Sequence, residues 1–78
     1  MFTVTGGLSP EDAATDFRKQ FSYENEAADY LTSMRFTLKN KFYGAFMQRW
    51  VKDVEWINPK NSRKETVQMI ATISEYWQ

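Results

Sequence analysis

Histidine and cysteine are both absent from this 78-residue chain. Without cysteine there is no disulfide framework, thiolate nucleophile or iron–sulfur ligand, and without histidine no ordinary zinc site or imidazole-dependent triad. Only three glycines are present, Gly6, Gly7 and Gly44. None sits in a phosphate-cradling loop followed by Lys-Ser or Lys-Thr, and the spacing of a calcium-binding EF-hand loop is missing too. Long apolar runs are also lacking. The longest uncharged stretches, 1–10, 42–48 and 66–74, fall far short of the roughly 18 residues of a membrane span, and the first residues form neither a basic nor a long apolar leader. The expected location is the cytoplasm, or the host cytoplasm for a viral product, with no membrane partner.

What is present is charge and aromatic surface. Ten Lys plus Arg balance ten Asp plus Glu, and Phe, Trp and Tyr make up 17% of the chain. The zero net charge conceals a division: residues 1–33 hold six acids and two bases, whereas residues 34–78 hold eight bases and four acids. One domain spanning 1–78 is expected. A chain this short buries only about 60% of its unfolded surface, so marginal stability or support from a partner, including a second copy, is expected as well.

Segment signals predict a mostly α fold: a small bundle of three to four helices behind a short extended amino-terminal arm, residues 1–8. Phe2 and Val4 alternate with threonines before Gly6-Gly7 frees the chain to turn. Ser9-Pro10-Glu11-Asp12 reads as a helix start, with a capping Ser, Pro in the first turn and two acids at the positive end of the dipole. Helices are expected at about 10–21, 23–38, 41–57 and 62–77. The first carries Ala13, Ala14, Phe17 and Phe21, and Ser22 with Asn25 offers a cap for the second. A break near Lys39-Asn40-Lys41 separates the face of Leu31, Leu38, Phe42 and Ala45 from that of Phe46, Trp50, Val54 and Ile57. Asn58-Pro59-Lys60-Asn61 is a loop, and Ser62 through Glu65 matches a capping box that opens the last helix. The alternative fold is α+β, with a β-hairpin near residues 35–43 turning about Asn40.

Carboxylates are the acid–base groups left in quantity, in clusters at Glu11, Asp12, Asp16 and at Glu24, Glu26, Asp29. Their positions in early helical turns read as dipole complementation, so no catalytic residue, metal ligand or cofactor is expected and the chain is not expected to be an enzyme. Large aromatics and arginine are the residues most often found as interface anchors, and Tyr43, Arg49, Trp50, Trp56, Tyr76 and Trp77 are the candidates for partner binding. The expected function is non-catalytic protein binding. With its own initiator Met and no catalytic set, the chain has the profile of a small accessory inhibitor of phage or mobile-element type, occluding a surface on a larger host enzyme or nucleoprotein complex.

Two other functions compete. Arg35, Lys39, Lys41, Arg49 and Lys52 form an acid-free basic stretch interleaved with aromatics, the pattern of a nucleic-acid surface that pairs phosphates and stacks bases; Arg35, Lys39, Lys41 and Lys52 carry that reading. Against it stand helical spacing, which assigns Phe42, Phe46 and Trp50 to a core, and overall neutrality. The other competitor is a structural homo-oligomer closed through the broad apolar face of the last helix.

Overall fold

Apolar residues four apart satisfy two periods at once, since four is close to one helical turn and is also twice the period of a strand. The intervening positions decide. In Val67-Gln68-Met69-Ile70-Ala71-Thr72-Ile73-Ser74 the apolar set 67, 69, 71 and 73 recurs every second residue, the period of a half-buried strand. The computed structural model, which describes residues 1–8, 12–42 and 47–75, resolves the chain accordingly. Its elements are β1 (Phe2–Leu8), β2 (Asp12–Phe21), α1 (Glu24–Ser33), β3 (Thr37–Phe42), β4 (Met47–Ile57) and β5 (Lys64–Glu75).

The mostly helical bundle is therefore wrong, and so is the description of the chain as a small helical domain. The described residues form a five-stranded antiparallel sheet in the order β2-β1-β5-β4-β3, with one helix against it. The helices expected at 10–21, 41–57 and 62–77 give way to β2, β4 and β5 in the residues described. The alternative hairpin about Asn40 is corrected too, because β3 continues through Asn40 as one strand, with a bulge at Lys39, and pairs with β4. The first residues are extended, but β1 is an interior strand between β2 and β5 rather than an arm.

Local chemistry explains the one helix and its limits. At its start the backbone N–H of Tyr23 donates to Glu26 Oε1 at 3.2 Å. At its end Phe36 N donates to Leu31 O and Arg35 N to Thr32 O, each at 3.0 Å, while Arg35 adopts a left-handed φ of 70°. These are the two reciprocal bonds of a Schellman motif, with Leu31 and Phe36 supplying its apolar contact in the core. The helix expected over 23–38 stops there. Ser62 does not cap a helix either: its φ is 56°, its N–H donates to Asn58 O at 2.7 Å, and it closes the β4–β5 turn. Asn58 and Asn61 tighten that turn by accepting from the N–H groups of Lys60 and Arg63 on their side-chain oxygens.

Register assigns the faces. Val4 pairs with Ile73, and Ala71 with Trp50. These four, with Ala27, Leu31 and Phe36, form the core beneath α1, and Phe17, Phe21 and Tyr30 close its β2 side with ring centroids 5.3–6.4 Å apart. Gly6 belongs to this face because Phe17 lies across it: a Cβ at Gly6 would stand 2.7 Å from the Phe17 ring. Gly7 points the other way, toward Asp16, with φ at 142°.

Candidate protein-binding surface

Strands β4 and β5 are longer than the rest of the sheet. Pairing between β1 and β5 ends at Gly7 with Ile70, whereas β4 and β5 continue together to Ile57 with Lys64. Helix α1 packs against β1, β2 and β5 near the core end. The far half of the hairpin extends past both, which accounts for a molecule measuring 41 × 23 × 22 Å.

Alternation places Val54, Trp56, Val67 and Met69 on the helix-bearing face of this projection, all half-buried. Val51, Ile57 and Ile70 lie on the opposite face, where Ile57 is 64% exposed and Ile70 43% exposed. Both faces of the ribbon are thus partly apolar. A cleft of about 450 Å³ opens on the helix-bearing side, lined by Leu8, Trp56, Val67, Pro59, Lys60 and Glu65. A wider groove of about 660 Å³ crosses the other face of the sheet over Thr5 and Gly7, between Asp16 and Arg18 of β2 and Ile70 and Thr72 of β5.

The residues singled out from sequence are dispersed over this frame. Tyr43, Tyr76 and Trp77, like Phe46, lie outside the described residues. Trp50 is a core residue at 8% exposure, its indole Nε1 donating to Gln48 Oε1, so it offers no surface to a partner. Trp56 lines the cleft. Arg49 is exposed on the helix-free face, 5.8 Å from the centroid of Phe42, which is itself 45% exposed rather than core.

The basic stretch does not form one face. Arg35 occupies the helix-end turn. Lys39 sits at an irregularity of the edge strand β3, and Lys41 pairs across from Gln48 on the side opposite to Arg49. Lys52 is turned inward, donating from Nζ to Met34 O at 3.0 Å and lying 4.7 Å from the Phe36 ring centroid. The carboxylates are dispersed too: Glu24 accepts from Gln48 Nε2, Glu26 caps α1, and Asp16 flanks Gly7 on β2. Among the described residues no group of acids is placed to hold a metal ion, and no helix is long and apolar enough to cross a membrane.

Sequence reasoning missed Leu8 and Val67 as lining of the cleft, and the pairing of Phe42 with Met47. The signal was the two-residue alternation along β4 and β5, which assigns Val54, Trp56 and Val67 to one face as soon as it is read as strand. No family model, curated protein or solved structure matches the chain. Its function is therefore argued from its own geometry.

Proposed function

We propose that the protein works by binding another protein stoichiometrically, with the projecting half of the β4–β5 hairpin as the contact. The observation that carries this reading is the partly apolar two-stranded ribbon from Val51 to Ile70, which extends beyond both α1 and β1. A two-stranded ribbon of this kind gains little from its own fold at its far end, and Trp56 beside an apolar cleft has the form of an interface anchor. Occlusion of a surface on a larger enzyme or nucleoprotein assembly, the role of an accessory inhibitor, suits the size and elongation of the molecule. Such a role needs none of the chemistry that histidine and cysteine supply.

Affinity capture with the wild-type chain, followed by purification of the captured protein and a light-scattering measurement of the complex, tests the proposal. A one-to-one complex that is lost with Trp56→Ala and retained with Asp29→Asn, a change at an exposed position of α1 outside the hairpin, supports it. Capture of nucleic acid alone, or self-association that Trp56→Ala leaves intact, rejects it.

A further inference from the structure

A second candidate surface lies at the β3 edge of the sheet, beside β4. β3 is an edge strand whose six residues, Thr37–Phe42, are all exposed, and among the described residues no strand pairs with its outer side. It lies in the acid-free segment 35–52 with its five bases. Lys39 and Lys41 are on the strand itself and make no ion pair among the described residues. On the helix-free face, Phe42 pairs with Met47 and stands beside Arg49, three residue types enriched where proteins meet.

We infer that the β3 edge captures an extended acidic peptide segment of a partner protein by strand addition. An edge strand presents unpaired backbone N–H and C=O groups to an incoming strand, and the side chains beside them select its sequence. Lysines on an edge ordinarily keep a second copy away, because antiparallel self-pairing brings like charges together. The same lysines favour a segment carrying carboxylates, above all opposite Lys41, because the register shift between Leu38 and Asn40 takes Lys39 out of alternation with it. Its opposite face would lie against Phe42, Met47 and Arg49. The other edge of this chain, β2, does not fit the role, since within it Asp12 and Asp16 are offset by Arg18 and Lys19. This inference takes its class of partner from the protein-binding reading above but uses a different surface.

The test uses the full chain and a labelled, capped dodecapeptide of alternating Glu and Val, read by fluorescence anisotropy and by amide hydrogen exchange. Binding should slow exchange within Thr37–Phe42 and weaken about tenfold as salt rises from about 50 to about 300 mM. The double variant Lys39→Glu/Lys41→Glu, checked for native circular dichroism, should lose the Glu-Val peptide and gain affinity for a Lys-Val peptide. Trp56→Ala should leave binding unchanged, so that failure of this site and failure of the hairpin site are told apart. Equal affinity for a Glu-Pro peptide, which lacks the ladder donors at alternate positions, would overturn the inference. So would unchanged exchange in β3, or tighter binding of an oligothymidylate of the same length.

Discussion

The indole Nε1 of Trp50 donates to Gln48 Oε1 at 3.0 Å, a bond between side chains two residues apart on one face of β4. Such neighbours face each other only in an extended chain; in a helix they diverge. Gln48 passes the connection on, its Nε2 donating to Glu24 Oε1 at 2.8 Å, so the first turn of α1 is tied to β4 through a buried amide.

Breaking that chain at its centre should be costly. Gln48→Ala leaves the buried indole N–H without a partner and should destabilise by about 1–3 kcal/mol in chemical denaturation. Glu24→Ala should cost less, because Glu24 is exposed and the Trp50 bond survives. In a double-mutant cycle the two sites should couple by at least ~0.5 kcal/mol. Additive effects would show that the Glu24 link contributes nothing.

Arg35 holds a φ of 70° at the position where a Schellman motif favours glycine. Arg35→Gly removes a left-handed penalty of about 1–2 kcal/mol per residue, partly offset by the greater freedom of glycine when unfolded. A net gain of about 0.5–1 kcal/mol is expected. A loss on substitution would mean that the arginine side chain contributes more than its backbone strain costs.

How much of this was legible depended on whether a signal was local. The turn at Asn58–Asn61 and a helix beginning near Ser22 were readable because caps, Pro and Asn act within a few residues. Strands were not, because Phe17 with Phe21, and Phe46, Trp50 and Val54, are spaced by four and fit a helix as well as a strand. The capping-box pattern from Ser62 to Glu65 and the acids Glu11 and Asp12 then weighted the choice toward helix. The decisive β signal, 67-69-71-73 set against Thr66, Gln68, Thr72 and Ser74, was present but was interrupted by Ile70, which made the segment look apolar around half a helix. For the candidate site, Trp56 could be named from residue type alone. The burial of Trp50 and the inward turn of Lys52 depend on partners, Phe36 and Met34, that only the folded sheet brings near.

Lys52 illustrates that dependence. Its ammonium group bonds Met34 O and lies over Phe36, securing the segment that leaves the helix. Lys52→Met keeps the stem but loses both contacts and should cost about 1–2 kcal/mol. Faster amide exchange at Arg35 and Phe36 should accompany the loss. If stability and exchange are both unchanged, the lysine is a surface cation after all.

The adjacent glycines of β1 should respond differently to alanine. At Gly6 the obstacle is the Phe17 ring, so Gly6→Ala should be partly rescued by Phe17→Leu. At Gly7 a Cβ would stand 2.7 Å from the backbone Cα of Asp16, and φ is 142°. Gly7→Ala should therefore cost at least the ~1–3 kcal/mol of backbone strain, and Asp16→Ala, which removes the carboxylate that the new Cβ would also meet, should relieve it only in part. Thermal melts of the two single and two double variants decide the matter; full rescue of Gly7→Ala by Asp16→Ala would place the obstacle in the side chain alone.

Thr3 lies on the helix-free side of β1 opposite Gln20 and Ser74, 1% exposed, and its Oγ1 has no hydrogen-bond partner among the described residues. A buried hydroxyl left unpaired costs about 1–3 kcal/mol, while its methyl group contributes by burial. Thr3→Val exchanges the hydroxyl for a methyl of similar size and should stabilise the fold by up to about 1 kcal/mol. Thr3→Ser keeps the unpaired oxygen and deletes the methyl, and should destabilise by about 1 kcal/mol. Opposite signs for the two variants in urea denaturation are the expected result. A destabilising Thr3→Val would show that the hydroxyl is bonded in solution.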